Sequence, residues 1–120
     1  MIKVKSVYAK AAQDDGQRFL VDCFWPEGLK TRDAQVHQWL QELGPSYDLQ
    51  RFHFNPNHWE DYRTKYIEEL LSDRIKKEKL RELADLSRNG TITLLYGNSN
   101  PLHNHASVVK EVIEMKMFDS

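Results

Sequence analysis

Apolar and charged residues alternate from the first positions of the chain. Ile2, Val4 and Ser6 alternate with Lys3 and Lys5, the period of two expected of a strand, and Val7-Tyr8 follow. A second extended segment, Arg18 to Val21, carries the unbroken run Phe19-Leu20-Val21 and reads as a strand buried on both faces. A third, Thr91 to Tyr96, is rich in β-branched and apolar residues.

Between the second and third segments the period lengthens. Val36, Trp39, Leu40 and Leu43 fall at i, i+3, i+4 and i+7, which predicts a helix opening near Thr31 and closing at Gly44-Pro45. Ser46 can cap a short helical turn holding Leu49 and Phe52. Asn57 with Glu60 resembles a capping box, and Trp59, Tyr62, Tyr66 and Leu70 trace one face of the helix after it. Ile75, Leu80, Leu83 and Leu86 predict more helix, closed by Asn89-Gly90. Only Ser72-Asp73 marks a break, so two helices or one bent helix both satisfy the pattern. A last helix is predicted from Pro101, capped by Asn100, to about Met117. Strands separated by helical stretches predict a single α/β domain over residues 1–120: a small, mainly parallel sheet of about three strands packed by four to five helices.

Composition narrows the function classes. The 120 residues are 40% hydrophobic and 29% charged, as in ordinary globular domains. Lys and Arg total 17 against 18 Asp and Glu, so bulk charge argues against a nucleic-acid binder. The one basic cluster, Arg74 to Arg81, shares its helix with Asp73, Glu78 and Glu82 and reads as a solvated face. The single cysteine, Cys23, excludes an intrachain disulfide. No signal-like region and no membrane-length apolar run is evident, which leads to the expectation of a cytoplasmic protein with no membrane association. Nothing in the sequence indicates a cofactor or an oligomeric state.

The chemistry-bearing residues gather at two strand ends, where open α/β folds place ligands. One is Phe19-Leu-Val-Asp22 running into Trp25-Pro-Glu-Gly28. The other is Tyr96-Gly97 running through Asn98 to Asn104 and His105. Helical phase places His105 among Leu102, Ala106, Val109 and Ile113, and sends His103 to the opposite side. The pair His103 and His105 therefore cannot share a metal on a helix, and no metal site is expected. His105 is either a hydrogen-bonded core imidazole or an acid/base group in a cleft. Asp22 is either a structural acceptor or its partner, since an Asp–His pair serves both roles. The catalytic candidates are thus Asp22 and His105; the ligand-binding candidates are Trp25, Arg51, Tyr96, Asn98 and Asn104. Arg51, His53 and His58 sit in a connection that can fold over such a cleft or serve as an ordinary loop. Trp39 and Trp59 are assigned to the core. Cys23, beside Asp22, is read as an inert thiol.

An ordered series of these residues resembles a known family. Leu20-Val-Asp22, Trp25-Pro26, Gly28, Trp39, Pro45-Ser46, Leu49, Arg51, Trp59, Tyr62, Tyr66, Glu69-Leu70, Thr93-Leu-Leu-Tyr96 and Asn104-His105-Ala106 are similar to the YeaO-like proteins, domain-of-unknown-function family 488. The resemblance spans nearly the whole chain and implies a compact bacterial-type α/β domain with no assigned reaction. The family's opening motif reads Asp-Arg-x-Trp-Pro-Arg-Gly, whereas Cys23 and Glu27 occupy the arginine positions here. If those arginines bind an anion, two positive charges are missing from this site. Three readings remain: a small enzyme or ligand-binding domain using the cleft for a polar or anionic metabolite; a non-catalytic interaction or regulatory module; and, disfavoured by charge, a nucleic-acid-associated protein.

Overall fold

A computed structural model of the chain describes residues 1–50, 56–97 and 104–119. Four strands, β1 (Ile2–Ser6), β2 (Gln17–Leu20), β3 (Gln38–Trp39) and β4 (Ile92–Tyr96), form one all-parallel sheet in the order β1-β4-β2-β3. The helices are α1 (Thr31–Ala34), α2 (Tyr47–Gln50), α3 (Trp59–Leu71), α4 (Arg74–Arg88) and α5 (His105–Glu114).

The two sheet faces are covered differently. Ile2, Phe19, Val21, Ile92, Leu94 and Tyr96 pack into the main core with Tyr62, Tyr66, Leu70, Leu80, Leu83, Val109 and Val112 from α3, α4 and α5. The alternate positions Val7, Leu20 and Leu95 meet a thinner layer of Trp25, Leu29, Val36 and Trp39. This is the period of two at work: consecutive strand residues face opposite layers. The second face also carries a buried polar row. Lys3 and Arg18 both register with Thr93, and Asp15 accepts from Lys3 at 3.0 Å, from Lys5 at 3.0 Å and from Arg18 at 2.6 Å.

The helix predicted across Val36–Leu43 is not formed. The buried Arg18 guanidinium donates to the carbonyls of Gln35 (3.1 Å) and Ala34 (2.9 Å), which ends α1, and Gln35 turns left-handed at φ 47°. The Arg18 N–H donates to His37 Nδ1 and the His37 N–H to the Arg18 carbonyl, drawing the chain alongside β2 as β3. Cross-strand bonding there wins over a helical spacing that arose by coincidence. Trp39 is consequently half-buried on a strand and not part of a helical face.

The other departures are at helix ends. α3 and α4 are two separate helices, because Asp73 caps α4 by accepting the Ile75 N–H at 3.0 Å. The described part of the last helix is capped by Asn104, whose Oδ1 accepts the Ser107 N–H at 2.8 Å; Asn100 and Pro101 lie outside the described residues. That helix stops at Glu114, short of Met117, and a 3-10 turn Met117–Asp119 follows. Ser46 does precede α2, with Leu49 N–H to its Oγ at 3.4 Å, while Phe52 lies outside the described residues.

Candidate functional site

Parallel order puts the carboxyl ends of β2 and β4 side by side. Beyond β4 the chain enters α5 on the main-core face; beyond β2 it turns to Trp25, Leu29 and α1 on the other face. Neighbouring strands followed by elements on opposite faces define the topological switch point of an open α/β sheet. Asp22 and His105 occupy that point.

The Asp22 carboxylate is held from both sides. Its Oδ2 accepts the Gly97 N–H at 2.9 Å, and its Oδ1 lies 2.9 Å from His105 Nε2. The approach of His105 is not aligned as a hydrogen bond, so the contact is an ion pair when the imidazole is protonated and a close polar contact otherwise. The Asp22 carbonyl accepts the Trp39 Nε1–H at 2.7 Å, so the second residue beyond β2 is tied to β3 as well. Gly97 matters sterically: a Cβ there would stand 3.2 Å from Asp22 Oδ2.

An aromatic series backs the pair. The rings of Trp59 and Tyr62 stack at 5.4 Å, Tyr62 and Tyr66 are 5.9 Å apart, and Tyr66 meets the His105 ring edge-on at 6.4 Å. The Tyr66 hydroxyl donates to the Leu43 carbonyl. Glu69, one turn further along α3, accepts the Ser46 N–H at 2.9 Å. Burial first, then the charge of Asp22 and Glu69, pushes the Tyr62 phenol well above its usual range. Tyr66 moves the same way through burial, with smaller contributions from Tyr62 and Asp22.

Cys23 donates its thiol to the Pro45 carbonyl at 3.0 Å. Burial, Glu69 and Asp22 raise its pKa, so it stays a thiol at neutral pH. Gly44 lets this contact form: a Cβ would lie 2.2 Å from the Cys23 nitrogen.

The other sequence candidates divide. Trp25 is on the second face, edge-on to Trp39 at 5.4 Å, with Nε1–H donated to the Leu29 carbonyl at 2.8 Å. Tyr96 is buried at the end of β4, on the main-core side. Asn104 is buried as the α5 cap. Arg51, His53, Asn98 and His103 lie outside the described residues, and His58 is half-buried in the turn before α3. Tyr62, Tyr66, Glu69 and Gly97 surround the pair without having been singled out for a site from sequence. Their helical and turn patterns reported packing, and only the tertiary fold brings them to Asp22. Among the described residues no group of three or more His, Cys, Asp or Glu is arranged to hold a metal ion.

Fold and site together define a small parallel α/β domain with an Asp–His pair at its switch point. The chain belongs to the family described as the inactive DUF488-N3 subclade, whose family model matches residues 1–120. It is 36% identical over 111 residues to the uncharacterized protein YeaO of Escherichia coli K12, covering 92% of this chain and 94% of the relative. It is 30% identical over 113 residues to uncharacterized proteins of Mycobacterium tuberculosis and Mycobacterium bovis, covering 93% of this chain and 92% of each. No solved structure matches it.

Proposed function

We propose that this domain is a non-catalytic binding module that uses the crevice at the carboxyl ends of β2 and β4 for a small polar metabolite. One observation carries the reading: the groups able to do chemistry there are turned on internal neighbours, with His105 3% exposed and its Nε2 facing Asp22 without an aligned hydrogen bond. Both Asp22 oxygens face internal partners, and the Cys23 thiol is bonded to a carbonyl and held protonated. A general base needs an oxygen or nitrogen free to reach a substrate proton. The description of the family as inactive agrees.

The ligand we propose is polar and not strongly anionic. Asp22 and Glu69 bring negative charge to the crevice, and Cys23 and Glu27 supply none of the positive charge that the family motif would place there. We place the protein in the cytoplasm; among the described residues no helix is long and apolar enough to cross a membrane.

A second reading, a small enzyme with Asp22 and His105 as acid and base, is favoured by the location of the pair at a switch point. One experiment separates the two. Thermal shift over sugar phosphates, nucleotides, organic acids and amines selects a binder. A saturating ligand raises apparent stability by about 2–4 kcal/mol. NMR then follows that binder during prolonged incubation with the protein. Binding without conversion, lost in Asp22→Ala, supports the module. Conversion abolished in Asp22→Ala and His105→Ala overturns it in favour of the enzyme, and a screen with no saturable binder overturns both.

A further inference from the structure

A concave site lies away from the Asp22–His105 pair. It is a groove of about 400 Å³ on the thinly covered sheet face, between the segment leaving β1 and helix α1. It is lined by apolar Val7 and Leu29, by Tyr8, Lys10, Arg32 and Gln35, and by one carboxylate, Asp33. The volume is in the range of small-molecule sites.

The rim is prepared in three ways. Tyr8 is 53% exposed, yet its hydroxyl donates to the Glu27 carbonyl at 2.8 Å, which tethers the ring at the groove. The Lys10 backbone is fixed by the Lys5 ammonium, which donates to its carbonyl at 2.9 Å. Among the described residues the Lys10 ammonium itself has no hydrogen bond or ion pair, and Arg32 has only a loose contact with Asp33, 3.8 Å from its Nε. The far wall is rigid. Gln35 holds its left-handed conformation because buried Arg18, anchored on Asp15, grips the Ala34 and Gln35 carbonyls.

We propose that this groove is a second binding site, for a small aromatic or heteroaromatic anion. The ring of such a ligand stacks on Tyr8 against the apolar lining, and its carboxylate or phosphate meets Lys10 and Arg32. A tethered phenol ring offers a face to a flat ligand without loss of rotamer freedom. The free terminal nitrogens of Arg32 offer the forked donor geometry that suits an oxyanion. The proposal stands apart from the metabolite site at Asp22.

The test uses amide-resolved NMR of the full chain with three probes: phenyl phosphate, inorganic phosphate and phenol. Phenyl phosphate is expected to give saturable shifts at residues 7–11 and 32–35. Each half-probe alone should bind at least about tenfold more weakly. Lys10→Ala with Arg32→Ala should weaken phenyl phosphate by about tenfold or more, the size of a lost charge-assisted hydrogen bond. Tyr8→Ala should weaken it comparably. All three side chains are on the surface, so these variants keep the fold. No shift up to about 10 mM probe, a range that covers millimolar affinity, overturns the proposal. So do shifts centred on Asp22 and Gly97, or binding unchanged in the variants.

Discussion

Asp15 and Arg18, three residues apart, form a 2.6 Å ion pair that scarcely touches solvent. Lys3 and Lys5 from β1 add two further cations, and the Ala12 N–H caps the same carboxylate at 3.0 Å. The cluster closes one end of the second sheet face and, through the Arg18 grip on α1, decides where the chain turns into β3.

Burial alone would raise the Asp15 pKa. The Ala12 N–H, Lys5, Lys3 and Arg18 outweigh it and hold the carboxyl well below the usual carboxylate range. A carboxylate with a depressed folded pKa stabilises the fold above its unfolded value, near 4, and loses that contribution as pH falls further. Asp15→Asn should therefore cost about 3–5 kcal/mol at pH 7, because it also leaves Arg18 buried and unpaired. The gap between native and variant should narrow from pH 4 to pH 2. Urea melts across this range check it; a gap that stays constant or widens on acidification refutes the assignment.

The Asp22–His105 contact should show as coupling. Asp22→Ala removes the acceptor of the Gly97 N–H and the neighbour of a buried imidazole, at about 2–3 kcal/mol. With His105→Ala the double-mutant cycle should return about 0.5–3 kcal/mol, the range for side chains in contact. Additive losses would mean that the two groups are neighbours without interaction.

At least two of the five tyrosines, Tyr62 and Tyr66, should resist ionisation. Burial and the nearby carboxylates disfavour their phenolates. Ultraviolet titration from pH 9 should show the missing phenolate absorbance only when the protein unfolds. Full ionisation of all five while circular dichroism stays native would contradict the buried aromatic series.

Trp39 lies on a strand, and its indole N–H bonds the Asp22 carbonyl. Trp39→Phe keeps most of the ring contact with Trp25 and should cost about 1 kcal/mol, mainly the lost hydrogen bond. Its amide shift changes should concentrate at Asp22 and Cys23. A cost near the 3–5 kcal/mol of a full core truncation would restore Trp39 to a central packing role.

Glu27 is exposed, whereas Cys23 packs against Gly44 and Pro45. Glu27→Arg should thus be tolerated, and Cys23→Arg with Glu27→Arg adds three units of positive charge relative to the native chain. If the crevice retains an anion subsite, the double variant should bind phosphate about tenfold more tightly than the native chain, with an affinity that falls as salt rises. Equal affinity in calorimetry would make the motif arginines structural.

Local pattern determined much of this protein by itself. The alternation at Ile2–Val7 and the apolar runs at Phe19–Val21 and Ile92–Tyr96 define β1, β2 and β4, because burial of alternate faces is written directly into residue type. The spacing of Tyr62, Tyr66 and Leu70 likewise specifies a buried face of α3. Helical phase also put His105 inside, and it is 3% exposed. Tertiary structure decided what pattern could not express. The stripe Val36–Leu43 has helical spacing, but Arg18 and His37 divert it into β3 through bonds across 16 to 19 residues. The meeting of Asp22 with Gly97 and His105 depends on β4 inserting between β1 and β2, an order that no local spacing encodes. Tyr66 and Glu69 join that site only because α3 packs over the same sheet end. Periodicity reports which side of an element is buried; only the assembled fold determines what it is buried against.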